Sequence, residues 1–410
     1  MRLLWVNDVP LPNSSQDSFA GYVRSRLAMA DQLVRHGHSV HFVGTSNRFK
    51  HWPSTPTRRY CISAFPVWRI PKFGVMLYSL TMGFYLLWYV YRHKPDIVIV
   101  DLAATHSALP IAVLSKLRLV SSRVILDIRS FPVSADQTKW EHTWGDHRLG
   151  WRVSIAERFF SGITVITPFM RQLLAKQLHM SEKQIGVWSS GVDLEEFHPS
   201  DSSELRRKVG VDGRFVVMYH GSLSLERGIQ ETFAAILCLA RTLPNMVFVV
   251  LGSETASGLK SVTTLLKAME QSAGLFGHLL FMPAVPMHMV ASFLGVADVG
   301  TLAWPALMHH RTGSPLKLME YLAIEKPVAV TDLEATREVL GDSPCAFYAR
   351  SNDPGDLVDA IRRAYERRSE LPQLGRLGRL VVAERFTWDS QAAMLITYLE
   401  SVVRVRNKED

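Results

Sequence analysis

RTGSPLKLMEYLAIEKPVAVTD, Arg311 to Asp332, changes its period halfway along. The first half reads as a helix opening on Gly313, Ser314 and Pro315, with Pro at an early position where its missing N–H costs nothing. The second half, PVAVTD from Pro327, is an unbroken apolar run of the kind found in a parallel strand covered on both faces. The free N–H groups of such a helix start suit an anion, and Lys317 stands beside them. A glycine-opened helix followed at once by a buried strand is the repeating piece of a wound α/β sheet.

The same alternation runs outward through the whole chain. RLLWVN (2–7), SVHFVG (39–44), DIVIVD (96–101), RVILDI (123–128), GITVIT (162–167) and QIGVW (184–188) are strand-like runs separated by amphipathic stretches. A polar break between Phe197 and Gly213 interrupts the rhythm. FVVMYHG (215–221), MVFVVLG (246–252), LLFMPAV (279–285), DVGTLA (298–303), PVAVTD (327–332) and CAFYA (345–349) then repeat it. This predicts an α/β fold of two doubly wound units in tandem, divided at 198/199, and 410 residues suffice for both. Open parallel sheets bind ligands beyond the carboxyl ends of their strands, so two facing units are expected to enclose a cleft.

Composition narrows the class further. A chain that is 47% hydrophobic and 20% charged, with 25 Gly and 20 Pro, is neither disordered, collagen-like nor a coiled coil. Cys61, Cys238 and Cys345 are too far apart for a disulfide framework or a structural zinc site, which points to a reducing, cytoplasmic compartment. Residues 1–200 hold 23 basic and 14 acidic side chains and the remainder 23 and 24, so the excess positive charge of +8 sits in the first half. Such an asymmetry suits an anionic surface, lipid or nucleic acid. Met1-Arg2 leads straight into Leu3–Val6, which reads as a first strand rather than a signal peptide. Residues 73–91, FGVMLYSLTMGFYLLWYVY, are uncharged over a bilayer's length. Five Tyr and Trp are spread along that segment and a buried strand follows at once, so a helix packed on the protein or lying on a membrane surface is expected rather than a span.

Several residues at strand ends are candidates for chemistry. Gly21 starts a helix after the first strand, and YHGSLSLERGI carries Gly221, Ser222 and then Arg227 at the start of another. Both suit an approaching phosphate; the first reads equally as a structural turn, and Arg227 reads otherwise as a surface arginine near a helix end. Glu320 lies about two turns after Gly313, and a carboxylate there can accept both hydroxyls of a ribose; alone, it is more often a solvated helical glutamate. Asp127 and Arg129 close the strand VILDI, and His106 follows DIVIVD. Asp127 is as readily a structural carboxylate, and a lone histidine at a helix start is usually structural. No GxGxxG or P-loop pattern occurs. Nucleic acid would account for the charge but leaves 311–332 unexplained, and no basic-aromatic interleaving on one sheet face supports it.

Taken together, FAGYVRSRLAMADQLVRHGHSVHFVG, KPDIVIVD, ITVITPFMRQLL, GVDLEEFHP, HGSLSLERGI and SPLKLMEYLAIEKPVAVTD resemble the retaining GT-B glycosyltransferases of the GT4 family along nearly the whole chain. The resemblance implies an N-terminal acceptor-side domain, 1–198, and a nucleotide-sugar domain, 199–386. FTWDSQAAMLITYLESVV, from Phe386, resembles the family's closing helix, so residues 387–410 are expected to cross back to the first domain. Gly21 corresponds to the glycine near the donor diphosphate and acceptor. Arg227 stands for the lysine of the family's GR…KG segment, whose arginine is Ser222 here. Glu320 matches the second glutamate of E-x7-E and is expected on the donor ribose, whereas the first is Thr312. Gly313, Ser314, Pro315 and Leu316, with Lys317, match the turn that meets phosphate and sugar. Ala284 falls where the backbone reads the base, Gly221 beside the diphosphate, and Asp127 and Arg129 where acceptor and catalytic polar groups lie.

The implied reaction transfers sugar from a nucleoside-diphosphate donor to a lipid-linked or glycan acceptor, building a polysaccharide or glycolipid. The enzyme is expected at the inner face of the cell membrane. Asp-x-Asp is missing from the strand ends, so no cofactor and no essential metal is expected. The competing readings are a sugar-nucleotide binder that has lost catalysis, for which Ser222 and Thr312 speak, and a GT-B sugar-nucleotide isomerase.

Overall fold

The computed structural model describes residues 1–10, 21–46, 49–52, 60–66, 74–130, 147–254 and 261–407. Residues 11–20, which lead to Gly21 and read from the sequence as a loop, and Phe73 lie outside them. The chain divides into two compact units, residues 1–190 with 388–410, and residues 191–387.

The first unit is an eight-stranded sheet in the order β3-β4-β2-β1-β5-β6-β7-β8. Its strands are β1 (Arg2–Pro10), β2 (Ser39–Ser46), β3 (Lys50–Trp52), β4 (Cys61–Pro66), β5 (Ile97–Val100), β6 (Arg123–Ile128), β7 (Gly162–Val165) and β8 (Ile185–Val187). All pair in parallel except β3, which runs antiparallel to β4 at the edge. The helices are α1 (Gly21–Arg35), α2 (Gly74–His93), α3 (Thr105–Lys116), α4 (His147–Phe159) and α5 (Pro168–Leu178). Parallel strands need crossovers, and these helices cover both faces, so strands such as Ile97–Val100 are buried throughout.

On one face α2 and α3 press Tyr78, Met82, Leu86, Val90, Ala108 and Ile111 against Leu4, Val6 and Val98. On the other, α1 and the helix Trp388–Asn407 bring Met29, Leu33, Leu395 and Leu399 onto Trp5, Phe42 and Ile99. Each such buried leucine contributes about 2 kcal/mol of hydrophobic stabilisation. Tyr398 of the last helix ties two strands, accepting from the Ile163 amide (3.1 Å) and donating to the Gln184 carbonyl (2.8 Å).

The second unit is a six-stranded parallel sheet, β11-β10-β9-β12-β13-β14. It comprises β9 (Phe215–Leu223), β10 (Met246–Glu254), β11 (Leu279–Pro283), β12 (Val299–Leu302), β13 (Val328–Thr331) and β14 (Ala346–Ala349). The strand order reverses between β9 and β12, the place where open sheets leave room for a ligand.

Two details differ from the sequence reading. β3 and β4 were not expected: β3 has only three residues, and CISAFP carries too little apolar pattern to stand out. Residues 191–198, assigned by sequence to the first domain, pack in the second unit. Val192 donates its amide to Phe386 O at 2.8 Å, Phe197 is buried in that core, and Arg379 donates to the Phe197 carbonyl at 3.0 Å. The polar break is a surface segment of the second unit rather than the divide itself. Residues 73–91 form α2 apart from Phe73, and no helix among the described residues is long and apolar enough to cross a membrane.

Candidate functional site

The reversal point of the second unit gathers the sequence candidates. β9 is central and covered on both faces, so Phe215 to His220 are all buried. Gly221 ends the buried run with φ +112°, a conformation that favours glycine, and a Cβ there would collide with Cε and Nζ of Lys317. The chain thus reserves the space above Gly221 for a lysine nearly a hundred residues away. Lys317 comes from the helix Leu316–Ala323; its Nζ donates to Tyr219 Oη at 2.8 Å and lies 4.5 Å from the centre of that ring. Tyr219 Oη in turn donates to the Ser222 carbonyl at 2.8 Å.

One turn further along the same helix, Glu320 meets His220 from β9, with Nε2 2.7 Å from Oε2. Both side chains are buried, at 7% and 6% exposure. Burial lowers the His220 pKa and the hydrogen bond to Glu320 opposes that shift, so the arrangement fits a neutral ring whose Nε2–H donates to the carboxylate. Tyr321 fixes the ring from the side, edge-on at 4.7 Å, while donating its own hydroxyl to the Met218 carbonyl at 2.7 Å. One oxygen of Glu320 is therefore held in place from within the protein, which orients the other.

Arg227 ends the short 3-10 turn Leu225–Arg227, and Gly228 follows at φ +69° against the backbone carbonyl of Ala303, where a side chain has no room. This close approach carries Arg227 across to β12, and its guanidinium lies 5.7 Å from the ring centre of Trp304. His310 stacks on Trp304, with ring centres 4.8 Å apart and planes nearly parallel. Burial lowers the Lys317 pKa to about 7, the Arg227 charge pushes the same way, and Glu320 resists. Burial also lowers His310 to about 3. Two cations that repel each other in partly desolvated surroundings are stabilised by an arriving dianion.

The turn between these groups departs from the sequence reading in one respect. Pro315 caps the helix instead of entering it, its carbonyl accepting from the Leu318 amide at 2.9 Å, and Leu316 is the first helical residue. Gly313 and Ser314 are half-buried just before it. Thr312 is completely buried, and its hydroxyl donates back to the Met308 carbonyl at 2.8 Å.

Ala284 is exposed after β11, with β10 between that strand and β9. Gly221, Ser222, Arg227, Lys317 and Glu320 are thus brought together, and Ala284 stands apart at the sheet edge.

The remaining candidates belong to the first unit. Gly21 is the first residue of α1. Asp127 is buried, and its Oδ1 accepts from Thr164 Oγ1 (2.8 Å) and Trp188 Nε1 (3.0 Å). Arg129 lies flat on Trp188, 3.3 Å from the ring centre, and donates to the Trp188 carbonyl at 2.5 Å. Both groups fasten Trp188 to the sheet. His106 packs on Trp151 at 4.6 Å. Tyr219, His220, Trp304 and His310 escaped the sequence reading. For Tyr219 and His220 the tripeptide Tyr-His-Gly at a strand end was the one local sign, because polar rings in a central strand need partners when buried.

Comparison with known proteins bears on this arrangement. Residues 20–196 match the family model Glycosyltransferase Family 4, and residues 201–380 match Glycosyl transferases group 1. A putative glycosyltransferase, YtcC, of Bacillus subtilis is 23% identical over 261 residues, which are 61% of this chain and 62% of that one. The chain spans about half the length of most of the curated relatives it matches. Sucrose-phosphate synthase from Thermosynechococcus elongatus superposes with a TM-score of 0.74 at 13% identity, covering 99% of this chain and all of that one. Anabaena Alr3699/HepE, solved in complex with UDP and glucose, superposes with a TM-score of 0.71 at 14% identity over 98% of this chain and all of that one. With both halves matched in order and the whole fold shared, the chain belongs to the GT4 family of GT-B glycosyltransferases.

Proposed function

We propose that this chain moves a glycosyl group, with retention at the anomeric carbon, from a nucleoside-diphosphate sugar to a hydroxyl of a lipid-linked or glycan acceptor. The product would be part of a polysaccharide or glycolipid made at a membrane surface. The observation that carries the donor half is the meeting of Arg227, Lys317 and the His220-held Glu320 where the strand order reverses. Arg227 and Lys317 stabilise charge on the diphosphate as its bond to the sugar breaks. Glu320 accepts from the ribose hydroxyls. The departing phosphate oxygen takes the acceptor proton while the new bond forms on the same face, which needs neither a protein nucleophile nor, in this proposal, a divalent ion. The complex of Anabaena HepE with UDP and glucose supports a nucleotide-sugar donor. The positive first half of the chain supports an anionic membrane as the place of action.

Calorimetric titration with a panel of nucleoside diphosphates and their sugar conjugates, without added metal, tests the donor assignment. NMR of the anomeric proton in the product tests retention. Binding of one sugar nucleotide with slow hydrolysis supports the proposal, and no binding across the panel overturns it. A second reading, a binder that no longer transfers, is favoured by the buried hydroxyl of Thr312 where a carboxylate would stand; tight nucleotide binding without hydrolysis or transfer would select it.

A further inference from the structure

We infer that the outward face of α2 is the surface on which this chain lies against an anionic lipid bilayer. The inference deepens the proposed action at a membrane and rests on it. α2 has two apolar faces. Tyr78, Met82, Leu86 and Val90 recur every four residues and are buried in the core of the first unit. Met76, Leu80, Phe84, Trp88 and Tyr91 recur at almost the same spacing on the opposite side and are exposed, Phe84 by 73% and Tyr91 by 84%. At 1.5 Å per residue this stripe runs for about 22 Å. Single exposed apolar residues are ordinary, but a continuous stripe of five on one helix marks a contact surface.

The surroundings of the stripe fit anionic headgroups. α2 packs on α3 and α3 on α4, so the three form one outer layer. Crossover helices run opposite to their strands, which brings the carboxyl ends of all three to the same edge. Exposed Arg92 and Lys94 stand at the end of α2, Lys116 and Arg118 at the end of α3, and Arg158 at the end of α4. Neither α2 nor α3 contains an acidic residue, and Glu157 is the acid on α4 next to Arg158. Leu117 and Leu119 add exposed apolar contact among those cations, and Trp151 of α4 is exposed in the same layer. Trp88 and Tyr91 sit at the cationic end, the place where amphipathic rings meet headgroups. A second copy of the chain would set these cations against their own kind, whereas anionic lipid matches them. α2 cannot leave to span the bilayer, because its other face is built into the core. It lies on the surface instead.

The experiment is co-sedimentation of the full chain with vesicles of phosphatidylcholine alone and of phosphatidylcholine with phosphatidylglycerol, beside size-exclusion chromatography. The inference expects binding to the anionic vesicles that weakens with salt. Phe84→Ser and Trp88→Ser should each weaken it about tenfold. Arg92→Glu with Lys94→Glu should do so by about fivefold or more for each cation. All variants should keep the melting temperature and nucleotide affinity of the unaltered chain, because the changed side chains face solvent. If the unaltered chain and the variants partition equally, the α2 face is overturned while membrane action stands. If the unaltered chain ignores anionic vesicles, both are overturned, and donor binding is still judged separately by titration. A dimer that Trp88→Ser dissociates would give the face to a second copy and overturn the inference.

Discussion

His220 Nε2 lies 2.7 Å from a carboxylate oxygen of Glu320, and both side chains are buried at the carboxyl end of the central strand β9. A buried carboxylate without a partner would be costly, so the histidine stabilises the group that is assigned to the donor and holds it in one orientation. Glu320→Gln keeps an acceptor for the His220 N–H but loses the charge. It should lower nucleoside-diphosphate affinity by about tenfold or more while the melting temperature changes little. Glu320→Ala strands the imidazole and should lower both. Unchanged nucleotide affinity in Glu320→Gln, read by calorimetry, would remove Glu320 from the donor site.

The proposed contact of Lys317 with the donor diphosphate would make nucleotide binding sensitive to pH. The lysine's pKa of about 7 is below the ordinary 10.5 because burial and Arg227 disfavour the charge. A diphosphate restores that charge by pairing with it, so nucleotide binding at about pH 8 should take up close to one proton, and affinity should fall as pH rises through that range. Titration in buffers of different ionisation enthalpy measures the uptake directly. An uptake of zero would mean that Lys317 does not face the phosphates.

The same lysine should depress stability. Between pH 7 and 10.5 the unfolded chain binds a proton at Lys317 that the folded chain does not, so stability rises with pH across this window and the penalty is largest below it. Lys317→Met should raise the melting temperature at neutral and lower pH, flatten the rise towards alkaline pH, and weaken diphosphate binding. A variant less stable than the parent at pH 6 would show that the Lys317–Tyr219 hydrogen bond outweighs the cost of burying the charge.

Asp127 and Arg129 stand at a strand end where acceptor chemistry is expected, yet Asp127 Oδ1 accepts from Thr164 and Trp188 and Arg129 donates to the Trp188 carbonyl, while Asp127 Oδ2 is buried without a hydrogen-bond partner among the described residues. Burial raises the Asp127 pKa against the pull of Arg129 and Arg26. Asp127→Asn can still accept both hydrogen bonds and should leave turnover within about threefold, whereas Asp127→Leu should cost about 2 kcal/mol or more of stability by stranding the indole N–H and the threonine hydroxyl. A hundredfold loss of turnover in Asp127→Asn at unchanged melting temperature would show a catalytic carboxylate instead.

How legible the chain was depends on distance along it. Glu320, Lys317 and the turn Gly313–Leu316 lie within eight residues, so one motif exposes them together. β9 and β12 are recognisable because central strands must be apolar on both faces. The His220–Glu320 pair spans a hundred positions, and only the folded sheet brings its members together. The same holds for Trp188 with Asp127, sixty-one apart. β3 and β4 escaped because three residues at an antiparallel edge and a short, partly polar strand carry too little periodic signal. α2 was legible as an uncharged helix, but its division into a buried and an exposed apolar face depends on which side meets the sheet, since both faces have the same character.

Thr312 offers the last test, because the family resemblance of the sequence puts it at the first glutamate of the paired motif. If the position were merely an impaired version of that site, Thr312→Glu would restore a carboxylate and raise turnover. The surroundings argue otherwise. Thr312 is wholly buried and its hydroxyl is returned to the Met308 carbonyl, so a glutamate would need to bury a charge beside an already satisfied helix end. His310, packed on Trp304, has its pKa pushed down to about 3 and supplies no positive partner near neutrality. Thr312→Glu should therefore lose about 2 kcal/mol or more of stability, visible as a fall of several degrees in melting temperature, with no gain in turnover. Thr312→Val, which keeps the shape, should lose about 1 kcal/mol for the missing hydrogen bond and leave transfer intact. A rise in transfer rate for Thr312→Glu at unchanged stability would mean that the turn opens in the working enzyme and that this position reaches the sugar.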